Sequence, residues 1–428
     1  MIALVDPLSS GVFLSSALRE RGQECMHLYG KRFSRTARSD ASAPVLIMSG
    51  TTADTVAALR DRDIRHVVPG SEFGVAAAHD LAAALNLPRN EDGTAAARRD
   101  KALMGEALRR AGMPGAGQAT VETVDDLTGA LRRLGLPVVV KPSQSSGSDG
   151  CRVCWSETAA VTHFRDIHRR MNLVGLPNDR IFVQEYLPGE QYVVTTVSLD
   201  GRHVVCEVAR NVIEELDGLP VRRYNVSCPT LGAAERDVVS YTLGCLDALG
   251  IRHGAANADV RLTGDGPRLV EVNARILGPV LHPDPYFAAF GGSQQHLLAE
   301  SLDDPASFRA RSSLAYAPPQ VMGKAFVRCW ESGVLTAVPG LSSVRRLPGF
   351  HSARGLPRVG RAIRQSTLTK GRTGIVYFVH PQESVVRRSL EALREMEDER
   401  TLFRVTPAPV LTPVLTPAPA PATGSGGP

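Results

Sequence analysis

The chain has 428 residues, of which 43% are hydrophobic and 22% are charged, and its formal net charge is +5. These values are ordinary for a globular protein of several modules and exclude a chain that is disordered as a whole. The positive charge is scattered, without the basic run or interleaved aromatic residues of a nucleic-acid groove, so nucleic acid is not an expected partner.

Membrane and disulfide signals are weak. No apolar run approaches the ~20 residues that cross a bilayer, and no signal peptide is recognisable. Seven cysteines, an odd number, suit a reducing compartment, so we expect a cytoplasmic protein. Cys151 and Cys154 form a C-x-x-C pattern, but on the strand expected there they would point to opposite faces and could not share a metal or a disulfide.

Residues 1–88 alternate strand, glycine-containing turn and helix. Strands are predicted at the N-terminus, at 45–48 and at 66–69. This order predicts a small parallel α/β domain that forms one wall of a cleft. Its turns at Gly11 and Gly50 lack the G-x-G-x-x-G pattern of a dinucleotide site.

The next segment carries a possible phosphate site. A helix predicted at 98–112 has Lys101 near its start, where a lysine is ordinarily solvated. A strand then ends at Lys141 and is followed by the serine- and glycine-rich loop 143–150, whose backbone N–H groups a polyphosphate can approach closely. A hairpin tip would also explain the loop, but it would not explain the lysine at its entrance.

A short extended linker connects two further predicted strands at 184–190. Backbone groups of such a linker can pair with an adenine edge, and Glu190 can accept hydrogen bonds from ribose hydroxyls. This pattern is unspecific on its own.

The stretch 253–278 predicts a hairpin. The sequence Gly-Asp-Gly-Pro at 264–267 separates two runs of alternating apolar residues. With the turn centred near Asp265, Asp259 lies opposite Glu271, and alternation puts Glu271 and Asn273 on one face and Val270 and Val272 on the other.

Two carboxylates about 5 Å apart repel each other unless a cation or solvent lies between them. A merely solvated hairpin face is one interpretation of Asp259, Glu271 and Asn273. The other is a magnesium site, because hard cations prefer such oxygen ligands, with Arg275 adding positive charge beside it.

Two other regions complete the predictions. Arg223 and Tyr224 lie in the segment 202–228, and either a pocket role or a solvated arginine pair fits them. Residues 318–405 predict an α+β module with an antiparallel sheet, from strands at 322–329, 344–346 and 374–379 and a helix at 383–400. Residues 406–428 repeat Thr-Pro and Ala-Pro and predict a disordered tail.

Taken in order, these pieces resemble the ATP-grasp superfamily over residues 98–279. The likeness rests on Lys101, on Lys141 with its loop, on linker 184–190, on Asp259 and on Glu271-Val-Asn273-Ala-Arg275. Within that superfamily the chain looks most like the carboxylate–amine ligases of the bacilysin type. The resemblance implies an α/β and α+β multidomain ATP-grasp fold. Its predicted parts are a pre-ATP-grasp domain (1–88), two ATP-grasp parts (89–190 and 191–317), the C-terminal module (318–405) and the tail (406–428).

The resemblance also implies roles for individual residues. Lys101 and Lys141 would contact the phosphates of ATP, under a lid of Ser145, Ser146 and Gly147. Adenine would be held by Gln184, Glu185, Tyr186 and Leu187, with the ribose on Glu190. Two Mg²⁺ ions would be bound by Asp259, Glu271 and Asn273, and the substrate carboxylate and later oxyanion would be held by Arg275 and Gly278. One departure is Asn257-Ala-Asp259, where His-x-Glu is expected, so a different substrate pocket is anticipated.

The implied reaction joins a carboxylate, expected to be that of an amino acid, to an amine, through an acyl phosphate and with release of ADP and phosphate. A carboxylase or an intramolecular cyclo-ligase is the alternative within enzymes, and a nucleotide-binding sensor is the alternative outside them. The implied partners are small molecules, and dimers are usual in the superfamily.

Overall fold

The computed structural model describes residues 1–145, 147–216, 218–366 and 373–407. The predicted lid residue Ser146 lies outside the described residues, and so do residues 408–428 of the predicted tail.

The described residues form 19 strands and 13 α-helices. The strands are β1 Ile2–Val5, β2 Cys25–Gly30, β3 Val45–Met48, β4 His66–Pro69, β5 Gln118–Val121, β6 Val138–Pro142, β7 Arg152–Cys154, β8 Ile181–Glu185, β9 Glu190–Leu199, β10 Arg202–Leu216, β11 Leu219–Ser227, β12 Gly254–Thr263, β13 Gly266–Asn273, β14 Val321–Phe326, β15 Gly333–Ala337, β16 Phe350–Arg354, β17 Ala362–Ile363, β18 Ile375–His380 and β19 Arg404–Thr406. The α-helices are α1 Leu14–Glu20, α2 Ser34–Ser39, α3 Thr52–Ala58, α4 Val75–Ala84, α5 Lys101–Arg110, α6 Val124–Leu134, α7 Glu157–Ile167, α8 Ala233–Ala248, α9 Asp284–Phe290, α10 Gln294–Asp303, α11 Pro305–Arg311, α12 Leu341–Val344 and α13 Glu383–Asp398.

The N-terminal region is the predicted parallel α/β domain. Its four strands lie in the order β3-β2-β1-β4, and each pairs in parallel with its neighbours. All four residues of β1 are buried, which explains why this strand reads as an unbroken apolar run.

A second, four-stranded antiparallel sheet has the order β5-β8-β6-β7. Helices α6 and α7 cover it, and their apolar residues join its core. Thr123 and Asp126 form a capping box at the start of α6. The sheet carries Lys141 near the end of its strand β6.

The third sheet has eight antiparallel strands in the order β13-β12-β9-β10-β11-β14-β18-β16. Strands β14, β18 and β16 belong to the predicted C-terminal module, yet β14 pairs directly with β11. The predicted boundary near 318 therefore does not separate two sheets: the module extends the central sheet and adds a small sheet of β17, β15 and β19.

One predicted strand of this module is wrong. Residues 341–344 form the short helix α12, and Val344 at its end is buried in the core. A short apolar run does not distinguish a strand from a helix, and here tertiary packing decides.

Candidate active site

The hairpin of β12 and β13 places Asp259 directly opposite Glu271, as the sequence predicts. The turn, however, is centred half a residue earlier than predicted, since Thr263 pairs with Gly266. A β-bulge next to Val260 absorbs the extra residue and restores the pairing of the two carboxylates.

The bulge also corrects one prediction about faces. Val270 and Val272 do not share a side of the strand: Val270 lines the cavity together with Glu271 and Asn273, whereas Val272 is buried in the core. Regular alternation fails here because a bulge inserts one residue out of phase.

Lys101 contacts the Glu271 carboxylate. Helix α5 begins at Lys101, capped by the side chain of Asp100, and the lysine Nζ lies 3.2 Å from Glu271 Oε2. The expectation of a solvated lysine is wrong, since its side chain is 12% exposed. Burial alone would raise the pKa of Glu271, but Lys101 and Lys141 outweigh it and lower the pKa to about 2.

Lys141 is buried at the end of β6, and its Nζ donates a hydrogen bond to Gln184 Oε1 at 3.1 Å. Burial is the main cause that lowers the pKa of Lys141, and the positive charge of Lys101 adds to the effect. Cys151 lines the same cavity while Cys154 belongs to the core of the second sheet, so the two thiols point apart as predicted.

Asp259 is held by three donors that all reach its Oδ1 atom. They are Gln191 Nε2 at 3.1 Å, Asn211 Nδ2 at 3.3 Å and Arg222 Nη2 at 3.1 Å. Burial raises the pKa of Asp259 against the lowering effect of Arg222, and Glu271 raises it further. Within the described residues the second oxygen, Oδ2, has no hydrogen-bond partner.

Arg275 is paired with a residue of the N-terminal domain. Its Nε donates to Glu72 Oε2 at 3.0 Å and its Nη1 donates to the carbonyl of Ile276 at 3.1 Å. Glu72, Arg275 and Gly278 all line the cavity. The N-terminal domain therefore forms one wall of the cleft, as expected.

Lys101 also contacts the serine- and glycine-rich loop. Lys101 Nζ donates to the carbonyl of Ser145 at 3.1 Å, and Ser145 Oγ donates to Asp149 Oδ2 at 3.1 Å. Gly147 has a φ of +64°, a conformation that favours glycine. Ser145 and Gly147 line the cavity.

The linker 184–190 exposes fewer backbone N–H groups for a ligand than predicted. The backbone N–H groups of Glu185 and Tyr186 donate to the carbonyls of Gly117 and Pro137. In the part of the chain that the structure describes, the N–H of Leu187 has no such partner. Glu190 is exposed, and its Oε2 accepts a hydrogen bond from the Tyr192 hydroxyl at 2.9 Å.

Arg223 and Tyr224 are not in the cavity, which corrects their predicted pocket role. Arg223 is buried against α13, where its Nη2 lies 3.1 Å from Glu397 Oε2, and Tyr224 packs in the core beneath the same helix. The cause is a second bulge, because Val212 pairs with Tyr224 while Ile213 pairs with Arg222. The irregularity leaves Arg223 out of the pairing and lets Arg222 face the cavity.

These side chains surround one cavity of about 420 Å³. Sequence reasoning missed several of the residues that line it or hold its carboxylates, among them Glu72, Gln191, Asn211, Arg222 and Phe326. Nothing in the sequence marks Glu72, and the strands that carry Asn211 and Arg222 hold several other polar residues, so these two do not stand out either.

The acidic residues suit a hard cation. No group of three His, Cys, Asp or Glu side chains within the described ranges is arranged to hold a metal ion. Asp259 and Glu271 supply two carboxylates, and the amide Oδ1 of Asn273 has no hydrogen-bond partner among the described residues. Two carboxylates and an amide oxygen match the incomplete protein ligand sets that Mg²⁺ accepts.

Comparisons with known proteins identify the family of the chain. A family model described as the ATP-grasp domain matches residues 134–284. Dapdiamide A synthase of Enterobacter agglomerans is 30% identical over 318 residues, which cover 72% of this chain and 74% of that protein. The chain belongs to the ATP-grasp family.

Solved structures of ATP-grasp proteins share the fold. An L-amino acid ligase from Bacillus licheniformis matches with a TM-score of 0.75 and 18% identity over 95% of this chain and 98% of the other. An N5-carboxyaminoimidazole synthase from Aspergillus clavatus, in complex with ADP, matches with a TM-score of 0.68 and 13% identity over 93% and 98%.

The predicted ATP-grasp fold and family are thus confirmed, and the chain is an ADP-forming carboxylate–amine ligase of that family. In the described residues no helix is both long and apolar enough to span a membrane.

Proposed function

We propose that this ligase activates a carboxylate, that of an amino acid, with the γ-phosphate of ATP and then couples it to an amine. One observation carries the proposal: Lys101 and Lys141, the opposed pair Asp259 and Glu271, and Arg275 all line a single cavity. That set can neutralise a polyphosphate and a carboxylate side by side.

The nucleotide would lie at the lysine end of the cavity. Lys101 and Lys141 would contact its phosphates, beneath Ser145 and Gly147. The free N–H of Leu187 would donate to adenine, and Glu190 would accept hydrogen bonds from the ribose hydroxyls. Gln184 would act differently from the prediction, since its side chain orients Lys141.

Asp259, Glu271 and Asn273 would hold Mg²⁺, and two ions are proposed. The bound metal supplies neutralisation of the phosphate oxygens during transfer.

The reacting carboxylate would lie against Arg275 and the backbone of Gly278. Arg275 would first orient the carboxylate that attacks the γ-phosphate, which forms the acyl phosphate and releases ADP. When the amine attacks, the same guanidinium would stabilise the tetrahedral oxyanion until phosphate leaves. The name of the Bacillus licheniformis protein supports an amino-acid substrate.

A carboxylase is the second candidate, because an N5-carboxyaminoimidazole synthase shares the fold over 93% of this chain. In that reaction bicarbonate would be the activated carboxylate. Asn257-Ala-Asp259 stands where His-x-Glu is expected and favours neither the ligase nor the carboxylase. The phosphate-release experiment decides between the two.

The seven cysteines, all unpaired, support a reducing compartment such as the cytoplasm. A homodimer, which light scattering would detect, stays a prediction.

Phosphate release tests the proposal. We expect release from ATP and Mg²⁺ that requires two amino acids in a matrix of pairs and that Glu271→Gln abolishes. Asp265→Asn, in the exposed turn of the same hairpin, is the matched control and should retain it. Release that requires bicarbonate, and not a second amino acid, would identify the carboxylase instead.

A further inference from the structure

We propose that Arg222 selects the amine substrate by binding a carboxylate carried beside the reacting amino group. The inference rests on the proposed ligase function and adds a specificity-determining residue to it.

Arg222 is fixed in the cavity wall. Its Nη2 donates to Asp259 Oδ1 at 3.1 Å, and its guanidinium carbon lies 5.9 Å from the centre of the Phe326 ring. The side chain is 25% exposed, and the residue lines the cavity. A guanidinium held on two sides in this way is oriented before any substrate binds.

Most of its hydrogen-bonding capacity remains. A guanidinium has five N–H groups, and among the described residues only Nη2 of Arg222 has an acceptor. Its Nε is buried without one. A carboxylate, whose two oxygens fit the guanidinium fork, would use N–H groups that Asp259 leaves without an acceptor.

The other anions of the reaction already have cations. Lys101 and Lys141 serve the phosphates, and Arg275 serves the carboxylate that is activated. Arg222 lies instead on β11, near the strands that extend the sheet from the C-terminal region. Its positive charge therefore remains for an anion on the second substrate.

The surroundings of Arg222 indicate what that substrate carries besides its carboxylate. Ile213 pairs with Arg222 between neighbouring strands, and the Phe326 ring lies beside its guanidinium. Both residues are apolar and line the cavity together with Val221. An α-amino acid with an apolar side chain would place its carboxylate on Arg222 and its side chain against these three residues.

The test compares each amino acid with its own carboxamide as the amine substrate. L-Alanine, L-leucine and L-phenylalanine are assayed against their amides, with ATP, Mg²⁺ and the carboxylate substrate found in the matrix. We expect kcat/KM for the best acid to exceed that for its amide about 10-fold or more, the effect of one charged hydrogen bond. Arg222→Met should bring this ratio to about one, and Arg222→Lys should restore part of the preference.

The ratio of kcat/KM for the acid to that for the amide distinguishes recognition of the substrate carboxylate from the contact between Arg222 and Asp259. Arg222 also holds Asp259, so its replacement should lower the rates with both acid and amide. Asn211→Leu is the matched control, because it removes another donor from the same Asp259 oxygen without removing a cation. It should keep the wild-type ratio.

Three results would overturn the inference: equal use of acid and amide by the wild type, loss of the ratio in Asn211→Leu, or retention of it in Arg222→Met. Hydroxylamine distinguishes a failure of the proposed function, because it traps the acyl phosphate without any second amino acid. If the wild type forms hydroxamate but accepts none of the three acids, only the inference fails. If no carboxylate yields hydroxamate and ADP, the proposed function fails.

Discussion

Six charged residues of the site form three pairs of opposite sign. Lys101 pairs with Glu271, Arg222 with Asp259 and Arg275 with Glu72, at 3.2, 3.1 and 3.0 Å. Buried ions need such partners, since an isolated charge would not remain ionised there. The pairs therefore keep the functional side chains charged and oriented.

Glu72 is predicted to orient Arg275 for catalysis. Glu72→Gln should lower kcat about 10-fold or more, because Arg275 loses a charged hydrogen bond that orients it. KM for ATP should change little, since the lysines remain. Steady-state kinetics with each substrate varied would measure both. Glu122→Gln, an exposed carboxylate that does not line the cavity, is the control, and an equal loss in both variants would contradict the role.

Two irregular strand pairings shape the site at the scale of elements. The bulge in the β12–β13 hairpin brings Glu271 opposite Asp259, and the one between β10 and β11 turns Arg222 inward and Arg223 outward. Turn residues and alternation suffice to predict the hairpin. The bulges could not be predicted, because their positions depend on how the partner strands pack.

Arg223 faces away from the cavity and joins helix α13 to the sheet through a buried ionic cluster. Glu397 accepts hydrogen bonds there from the backbone N–H of Arg328, and it pairs with Arg223. Glu214 and Asp398 also face Arg223. Burial outweighs both arginines and raises the pKa of Glu397 from 4.5 to about 7.

This raised pKa predicts how stability depends on pH. The folded state binds the proton of Glu397 more tightly than the unfolded state, so its contribution is largest below pH 4.5 and is lost as the pH rises to about 7. The loss is on the order of 3 kcal/mol. Glu397→Gln removes this titration, so the melting temperature of the variant relative to wild type should rise between pH 5 and pH 8.

Thermal unfolding followed by fluorescence across that pH range measures the effect. Glu395→Gln, exposed on the same helix, should follow the wild type at every pH. A constant difference between Glu397→Gln and wild type would show that Glu397 does not titrate in this range.

At the scale of the whole molecule, the site joins residues that are distant in sequence. Arg222 contacts Asp259 across 37 residues and Arg275 contacts Glu72 across 203. Motif order along the chain predicts the fold and the candidate residues of the hairpin and of the serine- and glycine-rich loop 143–150. It does not predict Glu72 or Arg222, because no local pattern records which distant strand or domain will face the hairpin.

The central claim is that a carboxylate is activated as an acyl phosphate, and oxygen transfer tests it most directly. The carboxylate substrate is labelled with ¹⁸O, and the products of one round of coupling are analysed by mass spectrometry. The account predicts ADP and inorganic phosphate that carries one ¹⁸O atom, because the carboxylate oxygen that attacks the γ-phosphate leaves with it. Unlabelled phosphate, or label in AMP, would contradict it.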